Sequence, residues 1–302
     1  MSLSALFRDL LPQEAIQENA PMRSYTTMRV GGPADVLLSP ATEEQLSAVL
    51  DRIRQESLPW LIVGNGSNLL VSDEGFRGVV LHIGKNYGKI ECDGRFIRAQ
   101  SGAMLSAIAK AAEENSLTGL EFASGIPGSV GGGVYMNAGA YGGEISQVLA
   151  QARIWMHGNV QEWTAEQFAF GYRHSALMEN GGVVLSAVFA LKAGIKSEIT
   201  ALMADLNKRR REKQPLQYPS CGSFFKRPAG YFAGALIEGA GLKGYAVGDA
   251  QVSDLHAGFV INRGNATARQ IYELMRHVQK TVLEKSGVVL EPEVRLIGHF
   301  ES

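Results

Sequence analysis

The sequence predicts an α+β protein with two domains, and three observations support this. The length of 302 residues suits roughly two domains of ordinary size. Residues 1–196 contain many strand patterns and few helical ones, without the regular alternation of strand and helix that is typical of a doubly wound sheet. A long polar helix at about 197–213 then precedes a compact α+β segment. We therefore expect one domain over 1–196 and a second over 197–302.

The local patterns predict most elements individually. In the first domain they predict a short amphipathic helix over 3–11, a strand from Tyr25 into the glycine turn before Pro33, a helix from a Thr42–Gln45 capping box to about Gln55, strands over 60–63, 79–83 and 96–99, a helix over 104–114, a hairpin over 152–163 and a strand over 182–191. In the second domain they predict helices over 197–213 and 232–239, a strand over 258–261, a helix from a Thr267–Gln270 capping box to Gly287, and a final strand over 288–297.

The bulk composition limits the classes of function. Hydrophobic residues make up 45% and charged residues 20%, which is typical of a globular protein, and the net charge of −1 favours neither nucleic acid nor an anionic membrane as the main partner. Two cysteines predict no disulfide framework and no metal site. The beginning of the chain carries Asp9 and lacks a long apolar core, and no apolar stretch reaches the roughly 20 residues of a membrane span. We expect a soluble, cytoplasmic protein.

A glycine-rich run at 124–143 is the most unusual segment of the chain. Its glycines are at 125, 128, 131, 132, 133, 139, 142 and 143. Glycine is favoured where the backbone needs a positive φ or where another group approaches closely, and phosphate oxygens are a common such group. A flexible linker is the alternative, but the interleaved apolar residues Ile126, Val130, Val134 and Met136 favour burial.

A second glycine turn, Gly64–Asn68, follows a predicted buried strand. It resembles part of a dinucleotide-binding fingerprint, but Leu69 stands where the third glycine belongs and no acidic residue follows at the usual distance of about 20 positions. Taken with the run at 124–143, the turn predicts that two backbone concavities hold the diphosphate of a long cofactor. Two unrelated tight turns remain the alternative.

Two further segments carry candidate chemistry. Ser223, near Lys226 and Arg227, could be a positioned proton donor, while Cys221 is either a rival nucleophile or a small buried hydrophobe. A carboxylate at Glu293, or its competitor Glu291, either faces solvent or belongs to a site.

Two basic segments each allow two interpretations. Arg173 either forms a surface salt bridge or recognises a carboxylate with its planar guanidinium. Lys213 either ends a solvated helix, where it complements the helix dipole, or reaches a substrate phosphate.

These residues occur in an order that resembles the UDP-N-acetylenolpyruvoylglucosamine reductase family, whose flavoenzymes make UDP-N-acetylmuramate for peptidoglycan. The resemblance extends from about residue 20 to 298. It is carried by Arg29–Gly32, Val63–Leu70, Ser124–Tyr141, Tyr172–Arg173, Gly222–Lys226, Gly241–Gly244 and Glu291–Arg295.

The resemblance implies a fold, cofactors and site residues. The fold is an FAD-binding domain of the vanillyl-alcohol-oxidase type followed by a substrate-binding domain, and the cofactors are non-covalent FAD and NADPH as hydride donor. The implied FAD contacts are Gly64, Asn65, Gly66, Ser67, Asn68, Gly125, Ile126, Pro127, Gly128, Ser129, Gly132 and Asn137. The implied catalytic residues are Ser223 as proton donor with Arg173 and Glu293, and the implied substrate contacts are Tyr172, Lys213 and Arg227.

Two departures indicate the shorter class of this family. Arg227 stands where the longer class has an asparagine, and the segment between Arg173 and Ser223 is too short for that class's inserted loop and its substrate-clamping tyrosine. The implied reaction reduces the enolpyruvyl ether of UDP-N-acetylglucosamine, and a Glu293 that donates a hydrogen bond to it must hold a proton. Another FAD-dependent oxidoreductase on the same scaffold, or a non-catalytic nucleotide-binding module, are the alternative functions.

Overall fold

The structure, a computed structural model, describes residues 2–300. Within this range the chain forms seven α-helices and nineteen strands, together with short 3-10 helices. The helices are α1 Glu43–Gln55, α2 Leu105–Glu114, α3 Val130–Tyr135, α4 Leu177–Asn180, α5 Lys196–Lys213, α6 Ala233–Gly239 and α7 Ala268–Ser286. The strands are β1 Ile16–Pro21, β2 Pro33–Leu38, β3 Trp60–Val63, β4 Leu69–Val71, β5 Phe76–His82, β6 Ile90–Asp93, β7 Phe96–Gln100, β8 Leu117–Thr118, β9 Gly139–Ala140, β10 Gly143–Glu144, β11 Leu149–Met156, β12 Asn159–Thr164, β13 Val183–Ala190, β14 Lys192–Ala193, β15 Ser220–Ser223, β16 Ala246–Val247, β17 Ala250–Val252, β18 Phe259–Asn262 and β19 Arg295–Ile297.

Most strands belong to three larger sheets. Their orders are β1-β2-β5-β3, β12-β11-β13-β7-β6 and β15-β18-β17-β16, and three two-stranded pairs join β9 to β10, β8 to β14 and β4 to β19. The five-stranded sheet is antiparallel throughout. The strands β3 and β5, and likewise β4 and β19, are parallel. This mixture of sheets and separate helices is an α+β fold, as predicted.

The chain forms two compact units, and each is discontinuous in sequence. The first unit comprises residues up to Gln17, Val36–Asn65 and Val79–Arg210. The second unit comprises Glu18–Asp35, Gly66–Gly78 and the residues from Arg211 onward. The limits therefore fall inside β1, β2, β5 and α5 and within the Gly64–Asn68 turn. The assignment of cofactor and substrate binding to 1–196 and 197–302 stays a prediction, because compactness does not report which ligand a segment binds.

Each unit has its own apolar core. The first unit has two clusters, one in which α2 and the glycine-rich run pack with the five-stranded sheet, and one in which α1 packs with β3 and β5. In the second unit, the apolar face of α7 packs with β15, β17 and β18. That face consists of Ile271, Leu274, Met275, Val278 and Val282, at the spacing that the sequence predicts.

The strongest local signals are confirmed. Thr267 and Gln270 form the predicted capping box at the start of α7, and Gly287 ends the helix. The hairpin of β11 and β12 turns at His157 and Gly158. At the start of α1 the predicted box is only half formed, because Thr42 accepts from Gln45 N while the Gln45 side chain accepts from Ala41 N.

Three predictions of elements were wrong in part or whole. The helix over 3–11 is a 3-10 helix confined to Leu3–Phe7. No strand runs from Tyr25 to Pro33, because the chain turns there: Thr26 Oγ1 donates to Val30 O, and Arg29 N donates to Thr26 O. Of the strand predicted over 288–297, only Arg295–Ile297 pairs along a neighbouring strand, and Pro292 forms an isolated bridge. Among residues 2–300, no helix is both long and apolar enough to cross a membrane.

Candidate active site

The two glycine segments meet within the first unit. The Asn65 side-chain amide donates to Pro127 O at 2.7 Å. A Cβ added to Gly64 would lie 2.2 Å from Ser129 Oγ, so only glycine allows this approach. Ser129 Oγ in turn accepts from Gly132 N at the start of α3. The two predicted concavities are therefore in direct contact, and the ordered packing of the run contradicts the flexible-linker alternative.

We call residues 64–65 and 127–132, where the two segments meet, the cradle. The cradle has backbone donors that no protein group uses. Within residues 2–300, the backbone amides of Asn65, Gly128 and Ser129 donate to no protein acceptor. Backbone amides without a protein acceptor in glycine-rich segments suit the oxygens of an anion such as a diphosphate. The residues present thus fit the diphosphate of FAD. The side chain of Ile126, by contrast, packs against the hydrophobic core of the first unit.

Helix α5 brings a cation to the same run. Asn207 Nδ2 donates to Ser124 Oγ at 3.2 Å, and a Cβ added to Gly125 would lie 2.7 Å from Asn207 Oδ1 and 3.0 Å from Arg210 Cδ. Burial lowers the pKa of Arg210, and the charge of Tyr141 partly offsets this. Among the described residues no carboxylate pairs with Arg210. A half-buried guanidinium without a counter-ion can hold an anion.

Sequence reasoning missed Arg210, because it considered only Lys213 within the basic run at 208–213. The signal that could have found it is helical spacing, since Asn207 and Arg210 are three residues apart and share one face of α5. Lys213 is exposed at the last residue of the helix. That position is compatible with both of its interpretations.

Asn137 is buried in the first unit and forms hydrogen bonds with two other loops. It is 1% exposed, its Nδ2 donates to Gly171 O at 3.0 Å, and its Oδ1 accepts from Ser146 N at 2.9 Å. Nearby, Ser175 Oγ donates to Tyr135 O at 2.6 Å. Both ends of the Asn137 carboxamide thus form hydrogen bonds with protein groups, and its implied contact with FAD stays a prediction.

Arg173 lies at the tip of the turn that Asn137 holds. Gly171 and His174 exchange backbone hydrogen bonds, which leaves Tyr172 and Arg173 as the two residues of the turn. Arg173 has a φ of 54°, and its Nη2 donates to Gly139 O at 3.0 Å. Its Cζ lies 5.2 Å from the centre of the exposed Tyr172 ring. Both interpretations of Arg173, a salt bridge or recognition of a ligand carboxylate, stay predictions.

In the second unit, the end of the Gly64–Asn68 turn forms hydrogen bonds with the segment that carries Glu293. Gly66 O accepts from Thr27 N at 3.1 Å. Asn68 Nδ2 donates to Glu293 O at 3.0 Å, and Asn68 O accepts from Arg295 N at 3.0 Å. The backbone amides of Gly66 and Ser67 donate to no acceptor within residues 2–300. A residue of the predicted cofactor turn thus positions the backbone of a predicted catalytic residue.

Ser223 stands on a β-bulge. Between the pairs Ser220–Ile261 and Ser223–Phe259, strand β15 has one residue more than β18. Gly222, with a φ of 78°, supplies the left-handed conformation that this bulge requires. The Ser223 side chain is exposed, and its hydroxyl has no partner among residues 2–300. The hydroxyl is therefore available to a ligand.

Glu293 is next to Ser223 across a short backbone pairing. Glu293 N donates to Phe224 O at 2.9 Å, and the side chain of Glu293 is half-buried. Burial raises the pKa of the Cys221 thiol to about 12, and the Glu293 carboxylate contributes to this rise. Cys221 is thus a buried, un-ionised thiol, which favours the interpretation as a small hydrophobe over a nucleophile.

The competing carboxylate has another role. Glu291 is exposed and forms an ion pair with Lys226, and its backbone oxygen accepts from Lys226 N. Its partner at neutral pH is therefore a lysine on the neighbouring segment. Arg227 stacks on the exposed ring of Phe232, with Cζ 4.0 Å from the ring centre. Both arrangements lie within the second unit.

Comparisons with known proteins agree with these features. A family profile described as an FAD binding domain matches residues 34–160. A second profile, described as the C-terminal domain of UDP-N-acetylenolpyruvoylglucosamine reductase, matches residues 214–297. The two matched segments fall on either side of the predicted domain boundary.

Full-length relatives extend the match to nearly the whole chain. Proteins named UDP-N-acetylenolpyruvoylglucosamine reductase are 49% identical over 291 residues in Clostridioides difficile and 50% identical over 303 residues in Agathobacter rectalis, with 96% of each chain covered in both cases. The crystal structure of UDP-N-acetylenolpyruvylglucosamine reductase from Thermus caldophilus has a TM-score of 0.81 and 36% identity, and covers 94% of this chain and 98% of that one. Phl p 4, a glucose dehydrogenase, has a TM-score of 0.51 at 14% identity over 64% of this chain and 44% of its own, which shows a shared fold alone. With about half of its residues identical along almost its entire length, this chain belongs to the UDP-N-acetylenolpyruvoylglucosamine reductase family.

Proposed function

We propose that this protein reduces the enolpyruvyl ether of UDP-N-acetylglucosamine to UDP-N-acetylmuramate, with NADPH as the hydride donor. The observation that carries the proposal is the match of the second profile to residues 214–297, which contain Ser223 and Glu293. Another FAD-dependent oxidoreductase on the same scaffold would need the cofactor-binding domain but not this segment. A place in peptidoglycan precursor synthesis, and with it a cytoplasmic location, follows from the nucleotide substrates of this reaction.

FAD, when bound, supplies the chemistry that accepts hydride from NADPH and passes it to the substrate. The residues of the cradle would hold its diphosphate by backbone amides rather than by side chains. The unused amides of Asn65, Gly128 and Ser129 support this assignment, and so does the unpaired guanidinium of Arg210.

The remaining chemistry belongs to the protein. Reduction of the enolpyruvyl group places negative charge on the carbon next to the substrate carboxylate, so the site must stabilise that charge and then deliver a proton. Arg173 would stabilise it with its guanidinium, and Glu293 would do so as a hydrogen-bond donor in its protonated form. Ser223 would give its hydroxyl proton to that carbon. The exposed position of Ser223 on a bulge, without a protein partner, supports its role.

The half-reactions of the enzyme test this proposal. In Ser223→Ala we expect NADPH to reduce the bound FAD at the wild-type rate, while reoxidation by the enolpyruvyl substrate is lost, because only the second half-reaction needs the proton. Stopped-flow absorbance of the flavin measures both rates. Ser220→Ala, on the same strand, is the matched control and should leave both rates unchanged. Reoxidation of Ser223→Ala within about threefold of wild type, a barrier change below about 1 kcal/mol, would exclude Ser223 as proton donor.

The substrate specificity separates the proposed function from its alternatives. A different flavin oxidoreductase would reoxidise with an acceptor that lacks the UDP group, so enolpyruvyl substrates with and without UDP are compared. A non-catalytic nucleotide-binding module would show no flavin absorbance after purification. The visible spectrum is thus the first measurement to make.

A further inference from the structure

We infer that Asn137 is a positioning residue for Arg173, which fixes the turn that carries this guanidinium against the glycine-rich run. The inference rests on the proposed role of Arg173 in the reaction. It differs from the contact with FAD that the family resemblance implies for Asn137. All of the residues that carry it lie in the first unit.

The first step is the turn itself. Gly171 N donates to His174 O at 3.1 Å, and His174 N donates to Gly171 O at 3.2 Å, so Tyr172 and Arg173 are the two residues of a tight reversal. Two backbone bonds close the turn but do not orient it, and the nearby bonds from Ala176 N to Phe168 O at 2.7 Å and from Ser175 Oγ to Tyr135 O at 2.6 Å act on the residues that follow it. Something outside the turn must therefore hold it in place.

The second step concerns the hydrogen bonds of the Asn137 side chain. Gly171 O accepts a second hydrogen bond, from Asn137 Nδ2, and Asn137 Oδ1 accepts from Ser146 N. Asn137 is almost completely buried and has a φ of 47°, a left-handed conformation that asparagine tolerates better than most residues. The carboxamide thus connects two separate loops from a rigid, buried position.

The third step is the guanidinium. Arg173 Nη2 donates to Gly139 O at 3.0 Å, only two residues after Asn137. The same short segment therefore holds the Arg173 side chain at one point and the Arg173 backbone, through Gly171, at another. Two anchors on one segment define the direction in which the remaining N–H groups of the guanidinium point. Loss of one of these two hydrogen bonds would keep the charge of Arg173 but would no longer fix the orientation of its guanidinium.

A double-mutant cycle tests this inference. Asn137→Ala, Arg173→Ala and the double variant are compared by the rate of FAD reoxidation and by the affinity for UDP-N-acetylmuramate, measured by calorimetry. When Arg173 is present, we expect Asn137→Ala to lower the reoxidation rate and the product affinity by about ten- to hundredfold, the effect of a misplaced catalytic group. In the Arg173→Ala background it should change neither. Reduction of FAD by NADPH should stay within about twofold of wild type in all variants.

Two variants guard against simple misfolding. Asn137→Gly keeps the left-handed backbone without the carboxamide and should behave as Asn137→Ala does. His174→Ala is the matched control, because its ring contacts Glu179 rather than the run, and it should leave reoxidation and affinity unchanged. Hydrogen exchange at the His174 amide reports the turn directly, and Asn137→Ala should accelerate it.

The outcomes separate the two levels of the proposal. Equal losses from Asn137→Ala in both backgrounds, or unchanged exchange at His174, would overturn the positioning role. Wild-type reoxidation and product affinity in Arg173→Ala would instead overturn the proposed role of Arg173, and the positioning role with it. The single variant Arg173→Ala therefore identifies which of the two has failed.

Discussion

At the scale of the residue, Arg210 combines partial burial with the absence of a carboxylate partner among residues 2–300. A guanidinium that is half-buried without a counter-ion loses hydration and gains no ion pair, so it reduces the stability of the empty protein. Burial also lowers the pKa of Arg210, because it disfavours the charged form of the guanidinium. An anion bound beside Gly125 would supply the missing charge partner and so offset this unfavourable burial.

We predict that Arg210→Gln weakens FAD binding and stabilises the apoprotein. The loss of a charge-assisted hydrogen bond, about 1.5–3 kcal/mol, corresponds to about ten- to hundredfold in Kd, measured by fluorescence titration of FAD. The apoprotein should unfold at a higher urea concentration than wild type. Arg209→Gln is the matched control, because Arg209 is exposed and pairs with Asp205 at 2.6 Å. Equal weakening of FAD binding by both variants would contradict a specific role for Arg210.

At the scale of the element, the glycine-rich run combines a short helix with an open face. Helix α3 is capped by Ser129 and buries Val130 and Val134, so one side of it belongs to the core. Gly132 lies on the other side and is exposed. A Cβ added there would have Ser129 Oγ as its nearest neighbour at 3.6 Å, an ordinary contact distance. The protein itself therefore has room for a methyl group at Gly132.

We predict that Gly132→Ala stabilises the apoprotein but impairs FAD binding. Alanine in a helix is favoured over glycine by about 0.5–1 kcal/mol, so the free energy of unfolding of the apoprotein should rise. The methyl group would occupy space next to the cradle, so the Kd for FAD should increase. Urea unfolding and FAD titration measure the two effects.

A glycine of α6 supplies the control for this variant. Gly239 has no atom within 4 Å of an added Cβ, so Gly239→Ala should give a stability gain of similar size and no change in FAD binding. If Gly132→Ala also left FAD binding unchanged, the cofactor would not approach that face of α3. The implied contact at Gly132 would then be wrong.

At the scale of the whole molecule, both units contain a histidine whose pKa is lowered by burial. His82 ends β5 in the first unit, and burial is the cause of its lowered pKa. His256 lies in the second unit, where burial is again the largest cause, and its Nδ1 accepts from Gly258 N at 3.0 Å. Each folded unit thus binds protons less readily than its unfolded chain.

We predict that the protein loses stability as the pH falls from 7 towards 5. A histidine with a lowered folded pKa stays neutral in the native state, while the unfolded chain takes up a proton below about pH 6.5, so acid favours unfolding. Each kcal/mol lost lowers Tm by about 2–4 °C in domains of this size, and calorimetry at several pH values measures it. The double variant His82→Gln/His256→Gln should show a flatter profile, whereas exposed His157→Gln should follow the wild type. A slope in the double variant as steep as in the wild type would contradict this origin.

The sequence by itself determined the elements whose signals are local. The capping residues Thr42 and Thr267, the hairpin at His157–Gly158 and the apolar face of α7 depend on neighbours within a few residues, and all were predicted correctly. The order of motifs along the chain was also sufficient to identify the family. The glycine pattern predicted two backbone concavities, whereas the individual cofactor contacts were implied by the family resemblance and stay predictions.

Only the tertiary structure decided matters that depend on residues far apart in the chain. The bulge under Ser223 arises from pairing with β18, Glu291 forms an ion pair with Lys226, and the partner of Asn137 lies 34 positions away. The pairing of 288–297 and the burial of Arg210 beside Gly125 belong to the same group. A local pattern predicts which conformation a segment prefers, but the partners of a hydrogen bond or a charge are chosen when the chain folds back on itself, and their positions are not encoded in any single window of sequence.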